Sequence, residues 1–182
     1  MPIIRRAETR DLPALAALAA KLFSGDEAEH FAEFSQLLPC ADAALFLCEE
    51  GGAPAGFAQA QLRRDYVEGS STSPVGYLEG VYVEPDFRRR GFAQALLRAC
   101  EAWAREKGCA EFASDCELEN EASAAFHARM GFAEVNRIRC FRLLRLFFDQ
   151  FKDSRRAGQR VLQFGHNTRN LIKRLGILVR IA

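Results

Sequence analysis

Apolar residues along this chain follow two periodicities, one typical of strands and one typical of helices. Short runs rich in aromatic, aliphatic and β-branched residues are bounded by glycine, proline or polar turns, and each predicts a strand. The predicted strands cover residues 3–7, 43–50, 56–64, 76–83, 111–115 and 132–143. The second and third are joined by a short turn containing two glycines and a proline, so we expect them to form a hairpin.

Between these runs, apolar side chains recur every three or four residues, which predicts amphipathic helices. The predicted helices cover residues 12–23, 27–38, 94–108 and 121–130. Lys107-Gly108 and Gly131 end the last two, because glycine readily adopts the left-handed conformation that closes a helix.

The order of these elements predicts a mixed α/β (α+β) fold. A strand, a helix and a second strand over residues 76–115 form a βαβ unit, whose two strands run parallel. The hairpin before this unit adds antiparallel neighbours to the same sheet. We therefore expect a mixed central β-sheet with helices on both faces, in three layers.

Charge divides the chain into two parts. Residues 1–144 carry 16 basic and 22 acidic side chains, whereas residues 145–182 carry 9 basic and 2 acidic ones. We predict one folded domain over 1–144 and a basic, partly amphipathic C-terminal extension over 145–182. The extension is either an accessory helix packed on the domain or on a second subunit, which we favour, or a surface-seeking segment.

Composition indicates the cellular compartment of the protein and the kinds of partner it lacks. None of the six cysteines stands in a CxxC pair, and with three histidines the chain shows no zinc pattern. The scattered cysteines suit a reducing cytoplasm. The N-terminus lacks the apolar core of a signal peptide, and no apolar run is long enough to span a membrane. We expect a cytoplasmic protein without a metal, a nucleic-acid partner or stable membrane insertion.

The stretch from Pro74 to Ala93 carries the clearest chemistry. Its strand ends at residues 84–86, since Pro85 cannot continue a central ladder. Arginines and small residues then lead into a helix, whose free N–H groups and dipole favour an anion. The predicted diphosphate site comprises Arg88, Arg89, Arg90, Gly91, Phe92 and Ala93.

The same stretch carries a family resemblance. Arg88-x-x-Gly91-x-Ala93, after a strand and at the start of a helix, resembles the acyl-CoA pyrophosphate motif of the GNAT superfamily of N-acetyltransferases. The segments TSPVGYLEGVYVEPDFRRRGFA, EAWAREKGC, EFASDCELEN and AFHARMGF together look like aminoglycoside 6′-N-acetyltransferases. The resemblance spans roughly residues 3–143 and does not reach the extension.

Acetyl transfer to an amine needs a base, a thioester held close to the amine, and a donor for the developing oxyanion. Glu79 precedes Gly80 inside a strand, where a glycine often marks a bulge, and a bulge here would open a slot for the pantetheine arm. Asp115 ends the neighbouring strand, at the edge where ligands of open sheets gather. The alternatives are a solvated charge for Glu79 and a turn cap for Asp115.

The resemblance implies that Glu79 and Asp115 form a paired acidic site that binds the substrate amine and supplies the base. Either carboxylate could be that base. The resemblance also implies that the backbone amides of Val81 and Val83 face the pantetheine and the acetyl oxygen.

Three aromatic residues are candidates for the walls of the acceptor site. The resemblance implies that Tyr66, in a polar loop, meets a sugar ring or an ammonium group with its face. Phe23 and His30 are weaker candidates for the opposite wall, in the region of the first helices.

Two residues near the fourth predicted helix complete the candidates. His127 stands where many GNAT enzymes have a tyrosine that protonates the CoA thiolate. It could donate a proton or bond to CoA, and an equally good interpretation is a half-exposed histidine of the helix without a role in the reaction. Asn120 resembles the asparagine that bonds the pantetheine amide, and it is equally suited to cap the helix that begins at Glu121.

Taken together, the resemblance implies an acetyl-CoA-dependent aminoglycoside 6′-N-acetyltransferase that confers antibiotic resistance and forms a homodimer. The acidic balance of residues 1–144 fits a cationic acceptor. The alternatives are an acetyltransferase for a polyamine or a protein amine, and a non-catalytic acyl-CoA-binding module. The paired carboxylates speak against the last, because CoA binding alone needs neither.

Overall fold

The computed structural model describes residues 2–141. Its strands are β1 (Ile3–Arg6), β2 (Ala43–Glu50), β3 (Ala53–Arg63), β4 (Val75–Val83) and β5 (Phe112–Ser114). Its helices are α1 (Leu12–Ala19), α2 (Glu27–Leu37), α3 (Phe92–Glu106) and α4 (Glu121–Met130). Two short 3-10 turns, Thr9–Asp11 and Pro85–Phe87, precede α1 and follow β4.

The five strands form one sheet in the order in which they occur along the chain. The pairs β1–β2, β2–β3 and β3–β4 are antiparallel, and β5 runs parallel to β4. α3 makes the crossover between these two parallel strands. The mixed sheet, the β2–β3 hairpin and the βαβ unit predicted from the sequence are confirmed.

Apolar side chains fill both faces of the sheet. On one face α3 contributes Leu96, Leu97 and Cys100, which are fully buried, and side chains of α4 pack against the same cluster. On the other face Leu15 of α1 and Phe34 of α2 are equally buried. Each such aliphatic or aromatic side chain contributes about 1.5–3 kcal/mol by leaving water. The prediction of helices on both faces is confirmed.

The predicted strand over residues 132–143 is wrong for its described part. Residues 132–141 form no strand, and most of them are exposed. Within residues 132–136, side chains contact the 65–74 loop. Asn136 Nδ2 donates to Glu68 Oε1 at 2.7 Å, and Val135 packs against Gly69. Residues 142–143 lie outside the described part of the chain.

The chain divides into a compact unit over Met1–Asn136 and a second unit over Arg137–Ala182. The described residues of the second unit are 137–141, so the predicted extension over 145–182 lies outside the description. The division at residue 144 stays a prediction. Within residues 2–141, none of the helices combines the length and the apolar character needed to cross a membrane.

Candidate active site

A bulge in β4 lies at Glu79. Gly80 pairs with Gln59 and Leu78 pairs with Ala60, so Glu79 has no partner opposite it in β3. The extra residue shifts the alternation of side chains along the strand. The bulge predicted from Gly80 is therefore present.

The strands β4 and β5 separate at the same level. Their pairing covers Gly76–Leu78 and Phe112–Ser114. At its end, Ser114 Oγ donates a hydrogen bond to the Leu78 carbonyl oxygen at 3.1 Å. Beyond this point the β5 side of residues 79–83 carries no paired strand within the described chain. Val81 and Val83 lie in this stretch, and the unpaired β5 side of residues 79–83 is called the slot below.

The diphosphate candidates lie at the start of α3. Gly91 is the residue before the helix, has a φ of 82°, and has no atom within 4 Å of the position that a β-carbon would occupy. Arg89 also has a positive φ, of 59°. The first N–H groups of α3 are free of intrahelical partners, so an anion can approach them closely.

The other residues of this loop serve partly to hold it in place. Arg88 Nε donates to the Val83 carbonyl oxygen at 2.9 Å, and Arg90 pairs with Glu50 at 2.6 Å. The Phe92 side chain is buried in the core, so only its backbone N–H is available to a ligand. Ala93 packs against the same core.

Glu79 is held by an arginine that the sequence analysis missed. Both of its carboxylate oxygens accept from Nη2 of Arg63 at 3.0 Å, and Oε1 also accepts from Nε at 3.2 Å. Burial raises the pKa of the Glu79 carboxyl, Arg63 opposes this rise, and Asp115 and Glu33 add to it. The net effect is a pKa above the ordinary glutamate value, which makes Glu79 a stronger base.

Asp115 follows β5 directly and receives a hydrogen bond from the Tyr77 hydroxyl. Tyr77 lies on β4 two residues before Glu79 and is buried. Burial, together with the hydrogen bond to Asp115, raises the pKa of this phenol, so it stays protonated and donates throughout the neutral range. Tyr77 and Arg63 thus connect the two predicted carboxylates.

The aromatic candidates occupy different places. Phe23 lies against Gly80, next to Glu79, and its ring meets the edge of Phe57 with centroids 6.2 Å apart. His30 is buried beside it, with ring centroids 6.0 Å apart, and neither of its ring nitrogens has a hydrogen-bond partner among the described residues. These two residues therefore stand at the Glu79 end of the slot.

Tyr66 is 79% exposed, and its hydroxyl donates to Glu68 at 3.0 Å. Its loop is fixed by Glu111, whose carboxylate accepts from the N–H groups of Ser71 at 2.9 Å and Thr72 at 2.7 Å. The described contacts do not join Tyr66 to the residues around Glu79. Its place in the acceptor wall stays a prediction.

Asn120 and His127 both make contacts within α4. Asn120 Oδ1 accepts from the Ser123 N–H at 3.0 Å and caps the helix, as one of its two predicted roles required. His127 Nδ1 donates to the Ser123 carbonyl oxygen at 2.7 Å, while its Nε2 is buried without a hydrogen-bond partner beside Phe132. In this tautomer Nε2 carries no proton, so proton donation by His127 would require the cationic ring.

Comparisons with known proteins agree with this geometry. The family model described as "Acetyltransferase (GNAT) family" matches residues 11–132. The chain belongs to the GNAT acetyltransferase family. Among its relatives, the aminoglycoside N(6′)-acetyltransferase type 1 of Stenotrophomonas maltophilia is 43% identical over 143 residues, which are 78% of this chain and 93% of that protein. The protein of the same name from Acinetobacter haemolyticus is 43% identical over 121 residues, which are 66% of this chain and 83% of that protein.

Two solved structures of aminoglycoside N-acetyltransferases, AAC(6′)-Iy and AAC(6′)-Ih, are similar in fold to this chain. AAC(6′)-Iy in complex with the bisubstrate analogue CoA-S-monomethyl-acetylneamine is 37% identical, with a TM-score of 0.76 over 79% of this chain and 98% of that chain. AAC(6′)-Ih from Acinetobacter baumannii is 35% identical, with a TM-score of 0.76 over the same shares.

The family and the loop geometry together identify the cosubstrate. The GNAT relative AAC(6′)-Iy has been solved with CoA and with a CoA conjugate. In this chain the open space at Gly91 and the free N–H groups of α3 fit the CoA diphosphate. The protein is an acetyl-CoA-dependent N-acetyltransferase, in which acetyl-CoA supplies the activated acetyl group. Residues 2–141 hold no cluster of side chains suited to a metal ion.

Proposed function

We propose that this enzyme acetylates the 6′-amine of aminoglycoside antibiotics. The observation that carries the proposal is the placement of Glu79 in the bulge of β4 and of Asp115 directly after β5, where the charge of Asp115 acts on Glu79. Two carboxylates at this end of the slot suit an acceptor with several ammonium groups. The relatives with 43% identity bear the name of aminoglycoside N(6′)-acetyltransferase, which supports the same acceptor class.

The proposed reaction is direct transfer in a ternary complex. A carboxylate of the pair, Glu79 or Asp115, removes a proton from the acceptor ammonium, so that the amine nitrogen has a free electron pair. That nitrogen forms a bond to the acetyl carbon, and the bond from this carbon to the CoA sulfur breaks. A backbone N–H of Val81 or Val83 stabilises the oxyanion between these events. The nitrogen loses its second proton to solvent as the amide forms, and the carboxylate passes the first proton on to solvent. The CoA thiolate takes up a proton from solvent or from His127.

The product explains how the reaction would give resistance. An acetylated 6′-nitrogen is an amide, so the drug loses one positive charge and part of its capacity to donate hydrogen bonds. Affinity for RNA depends strongly on such charges. Acetylation therefore weakens binding of the antibiotic to ribosomal RNA.

Substitution of the paired carboxylates tests the proposal. Glu79→Gln and Asp115→Asn keep the size of each side chain and remove its charge, so each should lower kcat/KM for tobramycin by about 100-fold or more. Glu106→Gln, at the exposed far end of α3, is the matched control and should retain wild-type rates. Full activity of both site variants would refute the assignment of these carboxylates.

We also propose that the enzyme is a cytoplasmic homodimer. The family resemblance supports the dimer, and the unpaired cysteines of residues 2–141 suit a reducing compartment. Analytical ultracentrifugation of the full chain should give twice the mass of one chain. A monomer at micromolar concentration would contradict the dimer.

A further inference from the structure

Arg63 joins the two carboxylates of the acceptor site although it belongs to neither of their strands. It is the last residue of β3 and stands opposite Val75 of β4. Its side chain reaches along the face of β4 to Glu79, where it makes the hydrogen bonds at 3.0 and 3.2 Å described above. The side chain of Arg63 is 30% exposed and that of Glu79 is 22% exposed, so the ion pair is largely removed from water.

The same guanidinium lies on an aromatic face. Cζ of Arg63 is 3.2 Å from the centroid of the Tyr77 ring. The hydroxyl at the far end of that ring donates to Asp115. The contacts therefore run without interruption from Glu79 through Arg63 and Tyr77 to Asp115, and they connect β3 and β4 to the residue directly after β5.

These two contacts use properties that are specific to arginine. A planar guanidinium can bind both oxygens of a carboxylate and stack on a ring at the same time, whereas the compact ammonium of lysine cannot. Two contacts in different directions also fix the side chain, so that Arg63 in turn fixes the orientation of Glu79.

The surroundings show why Glu79 needs such a partner. The bulge removes its opposite neighbour in β3, and the charged groups that act on it from the packed elements, besides Arg63, are Asp115 and Glu33 of α2. His30 of α2 is 4.0 Å from Glu33. Both carboxylates repel a charge on Glu79, so Arg63 is the cation that offsets burial and repulsion together.

We propose that Arg63 is a positioning residue of the acceptor site, which holds the Glu79 carboxylate in place and in its charged form and links it through Tyr77 to Asp115. The catalytic part of this inference rests on the proposed role of Glu79. Arg63 contacts the carboxylate and the ring, and we assign it no direct contact with the acceptor.

Arg63→Gln and Arg63→Lys in the full chain test this inference, with Arg64→Gln as the matched control. Arg64 is the next residue in sequence, and it pairs with Asp42 at the surface, at 3.3 Å. The first readout needs no acceptor: the ionisation of Glu79 followed by NMR of ¹³C-labelled glutamate carboxyls, with the signal assigned by its loss in Glu79→Gln. We expect the midpoint to rise in Arg63→Gln, to rise less in Arg63→Lys, and to stay unchanged in Arg64→Gln.

The second readout is the pH profile of kcat/KM for tobramycin. We expect the acid limb to move to higher pH in Arg63→Gln, with a loss of about tenfold or more at pH 6 that diminishes as the pH rises. Arg63→Lys should restore part of this loss, and KM for acetyl-CoA should not change. A Glu79 midpoint that is the same in wild type and both Arg63 variants would overturn the inference. If the wild type acetylates no aminoglycoside, the proposed function is refuted. If the midpoint of the Glu79 ionisation is nevertheless raised in Arg63→Gln, the assignment of Arg63 to Glu79 is still supported.

Discussion

The ring of Phe23 lies so close to Gly80 that a β-carbon on residue 80 would stand 3.0 Å from its Cε1 atom and closer still to Cζ. The segment after α1 thus contacts the backbone of β4 directly beside the bulge. This approach requires glycine, since the ring cannot retreat freely from its contacts with Phe57 and His30.

We therefore expect Gly80→Ala to lower the free energy of unfolding by about 1–3 kcal/mol, because the new methyl group overpacks this contact. It should also raise KM for the acceptor, since the displaced ring lies against the residue that follows Glu79. Urea unfolding and steady-state kinetics measure the two effects. In the double variant Gly80→Ala/Phe23→Ala the methyl group no longer meets the Phe23 ring, so the loss of stability should be smaller than the sum of the single losses. Strict additivity would contradict the contact.

Tyr77→Phe removes the hydroxyl that donates to Asp115 and keeps the ring beneath Arg63. We expect kcat/KM for the acceptor to fall while KM for acetyl-CoA is unchanged, because Asp115 loses its orienting partner. The stability should fall by about 1 kcal/mol, as for a typical hydrogen bond. Tyr82→Phe on the same strand, which loses a 3.2 Å bond to Glu84, is the control. Equal kinetic effects of the two substitutions would contradict a specific role of Tyr77.

Gly91→Ala tests the diphosphate site against a matched glycine. Gly91 and Gly108 have φ values of 82° and 84°, and each has open space where a β-carbon would be. Alanine at either position should therefore cost a similar strain of about 1–2 kcal/mol. Only Gly91→Ala should raise KM for acetyl-CoA, because only Gly91 lies at the start of α3. An equal rise in both variants would show that strain alone, and not ligand contact, explains the effect.

Asp11 should make the stability of the fold depend on pH. Arg5 of β1 donates to both of its oxygens, at 2.6 and 2.9 Å, and this pairing lowers the pKa of Asp11 to about 2. Since that value lies below the unfolded value of 3.8, the stabilisation is complete above about pH 4 and disappears as the pH falls through 2.

Asp11→Asn should consequently lower the free energy of unfolding by about 2 kcal/mol at pH 7, and by less at pH 3. Urea titrations at the two pH values give the comparison. Asp42→Asn, whose partner Arg64 is exposed, should change the stability less. A loss in Asp11→Asn that is the same at both pH values would contradict the ion pair as its cause.

The elements that depend on the local pattern of apolar and turn residues could be predicted from the sequence. The strand over 43–50 is found at the predicted residues, because its apolar run is bounded by turn signals at both ends. The bulge at Glu79 was predictable because a glycine follows it inside a strand. The parallel pairing of β4 and β5 follows from the helix between them.

The features that depend on contacts distant in sequence could not be predicted. Arg63 lies near the end of a predicted strand in which apolar and polar residues alternate only weakly. Its contact with Glu79 depends on the register of β3 against β4 and on the bulge that shifts Glu79. Residues 132–141 are apolar enough for a strand, but a strand also requires a partner, and the described contacts of Val135 and Asn136 hold the segment by side chains instead.

The central claim concerns the acceptor, and a screen of amines with acetyl-CoA tests it most directly. The release of CoA thiol would be followed with kanamycin, tobramycin and spermidine, and the acetylated position would be assigned by NMR of the product. The paired carboxylates beside the slot predict efficient turnover of the two aminoglycosides with acetyl on the 6′-nitrogen. Robust turnover of spermidine, with none of kanamycin or tobramycin, would contradict the account.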